Sequence, residues 1–139
     1  MRLHRETLEK STSADTDILD LTADVEAVVD AAGVDEGWVM VFAPGSTAGI
    51  TTIEYESGCL EDLARAVEQL APSGGEYAHN LRWGDGNGYS HVRAALMGPS
   101  LTLPIAGGRV QHGTWQQIVL CDFDNRPRER RIELQALGR

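Results

Sequence analysis

Residues 101–137 divide into three extended segments, Leu101–Ile105, Thr114–Phe123 and Arg130–Leu137, joined through Gly107-Gly108 and through Asp124-Asn125-Arg126-Pro127. Connections this short join strands that reverse direction, because a parallel pair needs a crossover of a dozen or more residues. The end of the chain therefore reads as an antiparallel meander. Whatever precedes it has to complete an antiparallel sheet.

The earlier segments fit that requirement. Residues 2–10 alternate loosely, Leu3, Arg5 and Thr7 against His4, Glu6 and Leu8, and predict a first strand followed by a polar turn at Ser11–Thr16. Trp38–Phe42 is a continuous apolar run stopped by Pro44, which predicts a strand buried on both faces. Thr47–Glu56 is rich in β-branched residues and alternates, with Thr52, Glu54 and Glu56 on one face and Thr51, Ile53 and Tyr55 on the other. Two segments have helical spacing instead. Leu21, Val25, Val28, Val29 and Ala32 form one stripe, with Thr22 as N-cap and Gly33 as stop. Leu60, Leu63, Ala64, Val67, Leu70 and Ala71 form another, opposite a charged face and ended by Pro72. Tyr89–Met97 reads as a short helix of ambiguous period, closed by Gly98-Pro99. Two main helices and six or more strands predict an α+β fold, an antiparallel β-sandwich with the helices packed on one side. With 139 residues and no linker or repeat, residues 1–139 read as one domain.

Charge narrows the function. The chain has 21 acidic and 12 basic residues, a formal net charge of -9, and Lys10 is its sole lysine. That balance argues against nucleic acid, whose affinity rests on cations replacing phosphate counterions, and against an anionic membrane surface. No apolar run approaches the ~20 residues of a membrane span, and no signal-peptide core follows Met1, so a cytoplasmic location is expected. An acidic, lysine-poor surface suits solubility in high salt, and equally the arginine bias of a GC-rich genome. Cys59 and Cys121 fit no zinc spacing and read as two reduced thiols.

The polar motifs are modest one by one. His79, His91 and His112 stand in or beside turn-rich segments but match no local zinc signature. Gly84-Asp85-Gly86-Asn87-Gly88 lacks the features of a nucleotide loop, and is either a flexible loop or one that lets backbone, Asp85 and Asn87 approach a ligand. Pro44-Gly45-Ser46-Thr47-Ala48 offers amides and hydroxyls suited to phosphate, or is a solvent-facing turn. Glu54 and Glu56 share a strand face, where like charges want solvent or a cation. Thr114-Trp115-Gln116-Gln117 is either core with edge contacts or a pocket wall, and Arg126, Arg128, Arg130 and Arg131 can hold anionic groups or neighbouring carboxylates.

In this order the pieces resemble the YjbQ family, described as secondary thiamine-phosphate synthases. The resemblance covers nearly the whole chain. It is carried by Val41-Phe42-Ala43-Pro44, Ser46-Thr47-Ala48, Ile50-Thr51-Thr52-Ile53-Glu54, Tyr77-Ala78-His79-Asn80, Asp85-Gly86-Asn87 with Ser90-His91, Gly98-Pro99-Ser100, Gly113-Thr114-Trp115-Gln116 and Arg126-Pro127-Arg128. It implies a β-sandwich with helices on one side, a homotrimer, and histidines that bind a divalent metal, zinc or magnesium, near a subunit interface. Many relatives carry histidine where this chain has Gly45, and an apolar residue where it has His112. His112 is therefore expected to replace the missing imidazole, giving a metal site of His79, His91 and His112.

The activity implied is a metal-dependent, thiamine-phosphate synthase-like transfer that joins hydroxymethylpyrimidine diphosphate to thiazole phosphate. In that scheme Glu54 and Asp85 are the catalytic proton carriers. Ser46, Thr47, Asn80, Asn87, Thr114, Gln116 and Arg128 bind a small phosphorylated metabolite. Two alternatives use the same residues: a non-catalytic trimer that binds a metal or metabolite, and a metal-dependent phosphate hydrolase. Loss of a reactive histidine at Gly45 favours binding over chemistry.

Overall fold

The computed structural model describes residues 1–139. The chain runs β1 (Arg2–Thr12), β2 (Asp17–Asp20), α1 (Thr22–Ala32), β3 (Gly37–Phe42), β4 (Ala48–Ile53), α2 (Ser57–Leu70), α3 (Ala78–Trp83), α4 (Gly88–Met97), β5 (Ser100–Ala106), β6 (Arg109–Val110), β7 (Gln117–Asp122) and β8 (Arg128–Gly138). Five strands make one sheet in the order β1-β8-β3-β5-β6, three make another in the order β2-β7-β4, and every pairing is antiparallel. The α+β class and the sandwich are as the turns and periodicities predict.

The main core lies between the sheets. Val39 and Val41 of β3, Leu103 and Ile105 of β5, and Ile132, Leu134 and Ala136 of β8 meet Ile50 of β4 and Ile118 and Leu120 of β7. Helix α1 adds Val25, Val28, Val29 and Ala32 to that core. The other face of the small sheet buries Ile18, Val119, Cys121 and Phe123 beneath Ala94 and Met97 of α4 and Leu60, Leu63 and Val67 of α2. Burial in this second core pushes the Cys121 thiol up to about 12, and both cysteines are free.

Several local expectations are corrected. The strand buried on both faces is β7, flanked by the core on one side and helices on the other, and not β3. Trp38 is exposed and Met40 and Phe42 are half-buried, because no layer covers the outer face of the large sheet. Strand β4 ends at Ile53, and Glu56 leaves the strand to cap α2, accepting from the backbone N–H of Gly58 and of Cys59. That cap starts α2 at Ser57 instead of Leu60. Thr22 does not cap α1; its Oγ1 accepts from the Ile118 N–H at 2.9 Å and ties the helix to β7. Residues 114–116 are a turn closed by Gln116 N–H donating to Gly113 O, so β7 begins at Gln117. Strands β2 and β6 and helix α3 are further elements that the periodicities leave unassigned. No helix is long and apolar enough to cross a membrane.

Candidate functional site

At one end of the sandwich the core-facing positions turn from apolar to charged. On β7 the parity that places Ile118 and Leu120 inward continues through Asp122 to Asp124, both fully buried. On β8 the parity of Ala136, Leu134 and Ile132 continues to Arg130 and Arg128. Charges buried in this way have to be paired. Arg130 donates Nε and Nη2 to the two oxygens of Asp122 at 2.7 and 2.8 Å, and Arg128 donates Nε to Asp124 at 2.9 Å. Thr47 links the pairs, donating to Asp124 at 3.0 Å and accepting from Arg130 Nη2 at 2.6 Å.

The electrostatics follow. Burial pushes the Asp122 carboxyl up, but Arg130, Thr12 and the Asp124 N–H outweigh it and hold the group below the ordinary carboxylate range. Burial acts likewise on Asp124 and is outweighed by Arg128, the Asn125 N–H and Thr47. The hydrogen bonds to Asp122 raise the Arg130 guanidinium above its usual value. Both aspartates are thus anions locked to cations. Each guanidinium has one edge fixed by a buried carboxylate, and both line a cavity of about 410 Å³.

The histidines reach the cavity from the helical layer. Helix α4 is anchored by Ser90, whose hydroxyl donates to the Phe123 carbonyl, and this presents His91 to the loop after β3. There His91 Nδ1 lies 3.0 Å from the Ser46 carbonyl, which can only accept, so the proton is on Nδ1. Helix α3 carries His79 and packs closely on the start of α4: a Cβ at Gly88 would lie 2.6 Å from Tyr77 Cβ. Asn80 supports the junction by accepting from the Gly88 N–H at 2.9 Å. As a result the His79 and His91 rings lie 4.5 Å apart.

Asp85 faces this pair. With its amide turned so that Nδ2 points at Asp85, Asn87 donates to both carboxylate oxygens at 3.0 and 3.1 Å. The Asp85 Oδ1 is 3.4 Å from His79 Nδ1 without forming a hydrogen bond, so that nitrogen is buried and unpartnered. Gly45 completes the rim at φ +111°, in the region that favours glycine, and any Cβ there would lie 3.3 Å from Arg130 Nη1. Glycine at this position leaves that guanidinium nitrogen open to the cavity.

Of the predicted residues, Ser46, Thr47, His79, Asp85, Asn87, His91 and Arg128 line one cavity, with Asn80 behind it. The others lie elsewhere in the fold. Glu54 follows the far end of β4 and shares a separate depression with Asp20, Trp115 and Gln117. Thr114 and Gln116 are at that end too, their polar groups taken up by Gln117, Gly113 and Thr52. His112 is held between the Gly113 carbonyl at 2.9 Å and Glu26 Oε1 at 3.2 Å, beside α1. The expected set of three histidines therefore does not form within the chain. No group of three or more His, Cys, Asp or Glu side chains is arranged to hold a metal.

Arg130, named with the arginine run as a holder of anionic groups or neighbouring carboxylates, lines the cavity and holds Asp122. Asp122, Asp124 and Trp83 are the site residues that motif reading misses. For the two aspartates a signal exists, since both continue the core-facing parity of β7. Trp83 closes α3 at the cavity mouth and is two-thirds exposed, with 67% of its surface accessible. No periodicity marks it.

The same chain plan occurs in known proteins. The family model described as UPF0047 protein YjbQ-like matches residues 6–139. A UPF0047 protein of Methanothermobacter thermautotrophicus is 35% identical over 139 residues, covering 100% of this chain and 95% of the relative. A UPF0047 protein of Archaeoglobus fulgidus is 36% identical, covering 94% of this chain and 98% of its own. The crystal structure of a YbjQ-like protein of unknown function from Sulfolobus solfataricus superposes with a TM-score of 0.95 at 30% identity, covering 99% of each chain. A match that spans the strands, the helices and the charged end of the sandwich alike identifies the chain as a member of the YjbQ/UPF0047 family.

Proposed function

We propose that the cavity binds a small phosphorylated metabolite and catalyses a thiamine-phosphate synthase-like transfer in which diphosphate is the leaving group. The observation that carries this reading is the pairing of two aspartate-locked guanidinium groups with an unpartnered, buried imidazole nitrogen in one cavity. Guanidinium edges fixed before substrate arrives suit phosphate oxygens, and they need no reorganisation as charge develops on a leaving group.

In this scheme Arg128 and the open Nη1 of Arg130 hold the diphosphate. The bond from the pyrimidine methylene carbon to diphosphate oxygen breaks while the thiazole ring nitrogen bonds to that carbon. The leaving diphosphate takes up one negative charge, and His79, packed against His91, supplies a proton to its oxygen from Nε2. Asn87 holds the Asp85 carboxylate in place. Glu54, at the other end of β4, has no part.

A resident zinc or magnesium centre does not fit the residues of this chain alone, because no three donors converge within it. No step is assigned to a metal; magnesium enters only as a component of the assay, where it accompanies diphosphate. The homotrimer implied by the resemblance belongs to the same proposal. Leu70, Leu81, Leu96 and Trp115 are exposed apolar side chains that an assembly would cover.

The test is incubation of the full chain with hydroxymethylpyrimidine diphosphate, thiazole phosphate and magnesium, with and without chelator. Thiamine phosphate formation that falls at least a hundredfold in His79→Ala supports the reading. Inorganic phosphate released from one substrate alone would replace it with hydrolysis, and binding without turnover would replace it with a ligand-binding role. Light scattering that gave a monomer would remove the trimer.

A further inference from the structure

The cavity beside α1 is separate from the histidine pair and has its own charge pattern. It encloses about 470 Å³ and is lined by Glu26, Asp30, Arg109, Val110 and His112. Glu26 and Asp30 are one turn apart on the same face of α1. Arg109 and Val110 come from the short edge strand β6, which is fixed by the Gly107-Gly108 turn: the Gly107 N–H donates to Glu36 and the Gly108 N–H to the Asp35 carbonyl. His112 stands at the other side, only 16% of its side chain exposed.

Only one pair of opposite charges in this lining is in contact. His112 and Glu26 form one pair across the cavity at 3.2 Å. Asp30 and Arg109 have opposite charges and line the same space, yet neither forms an ion pair with any side chain. Asp30 also breaks a local rule. It sits near the C-terminal end of α1, where the helix dipole is negative and a cation belongs, and the last turn of that helix contains no basic residue. A carboxylate placed against its own helix end, opposite an arginine that it does not reach, favours a ligand that has a positive group for one and a negative group for the other.

We propose that this cavity binds a small zwitterion of the amino-acid class, its carboxylate on Arg109 and its ammonium on Asp30. His112 Nε2 takes up Glu26 at 3.2 Å, which leaves Asp30 as the carboxylate without a side-chain partner, and Val110 offers the one apolar wall to a side chain or methylene stem. A metal ion is a poorer occupant, since Arg109 would repel it and no three donors converge.

Titration calorimetry of the full chain with L-lysine and with glycine tests this, with sodium acetate and methylammonium chloride as single-charge controls. Saturable binding of either amino acid is expected, reduced about tenfold or more in Asp30→Asn and in Arg109→Gln and absent for both controls. Circular dichroism of these surface variants checks that they fold, and His79→Ala should keep the affinity, which separates this site from the phosphate site. No saturable heat from either amino acid would overturn the proposal. So would acetate or methylammonium binding as tightly as the zwitterions, or full affinity in both variants.

Discussion

Arg130 grips Asp122 through a two-pronged hydrogen bond, Nε and Nη2 on the two carboxylate oxygens at 2.7 and 2.8 Å, with the aspartate fully buried and only 11% of the arginine side chain exposed. A pair buried this deeply adds little net stability, but removing one partner leaves the other charged and desolvated. Asp122→Asn keeps the volume and abolishes the charge. It should destabilise the fold by about 3 kcal/mol, near the low end for a broken buried pair because Arg130 retains Thr47 and a distant contact with Asp124. A chemical denaturation midpoint within error of the wild type would show that the pair is dispensable.

The same anions set an acid limit. Asp122 and Asp124 are both held below the ordinary carboxylate range. A carboxylate whose folded pKa is depressed contributes stability above its unfolded pKa, about 3.9, and that contribution is lost as pH falls through the folded value. The contribution of these two groups to the unfolding free energy measured in urea should therefore be flat above about pH 5 and fall steeply below about pH 4. The slope should be shallower in Asp122→Asn, where one of the two groups no longer titrates. An equal slope in the variant would mean that other carboxylates carry the acid sensitivity.

How far this site is legible in the sequence depends on which rule is applied. Motifs alone bring His79, His91, Asp85, Asn87 and Ser46 to notice, and the fold unites them. They miss Asp122 and Asp124, because an aspartate beside a turn also reads as turn chemistry. Strand parity recovers them: Asp122 and Asp124 continue the inward face of Ile118 and Leu120, and Arg130 and Arg128 continue that of Ile132 and Leu134. Two opposite charges facing one core end are a prediction of pairing. Glu54 and His112 fail for a different reason. Their distance from the histidine pair is set by the length of β4 and by the path of the β6–β7 connection, neither of which any local pattern encodes. In the fold at large, the turns and stripes give the strands and main helices, whereas β2 and β6 are short enough that only pairing with β7 and β5 defines them.

A second buried arginine holds the helical layer to the sheets. Arg93 of α4 is 4% exposed, donates to the Ala71 carbonyl at 3.0 Å and to Thr16 Oγ1 at 3.1 Å, pairs with Glu68, and lies 4.8 Å from the Tyr89 ring centroid. It reaches a strained turn, since Asp15 and Thr16 both have φ of 62°. Tyr89 OH donates to Asp15, and the Asp15 N–H donates to the Asp124 carbonyl, so this network braces the backbone of the arginine-binding aspartate. Arg93→Ala leaves the buried Ala71 carbonyl without that donor and should destabilise by about 2–3 kcal/mol. Arg93→Lys should recover less than half of that, because a single ammonium cannot reproduce the planar fork. Thermal unfolding of the two variants decides, and equal recovery by lysine would show that charge alone matters.

At the opposite end of the sandwich, Gly37 of β3 pairs with Gly138 of β8 at a point where the two backbones almost touch. A Cβ on Gly37 would sit 2.0 Å from the Leu137 carbonyl oxygen, and one on Gly138 would sit 2.1 Å from that of Glu36. The obstacle in both cases is backbone, which cannot swing aside like a long side chain. The chain end is fixed there as well, with the Arg139 N–H donating to Glu36 O at 2.9 Å and Arg139 O accepting from the Asp35 and Glu36 N–H groups. Gly138→Ala should therefore cost about 3 kcal/mol or more, the upper range for overpacking. Gly74→Ala, where nothing lies within 4 Å, serves as the control and should be close to neutral. Hydrogen exchange would locate the damage: faster exchange at Val39 and Ala136, with Ile118 and Leu120 unchanged, is the expected pattern, and uniform loss of protection across both sheets would contradict a local origin.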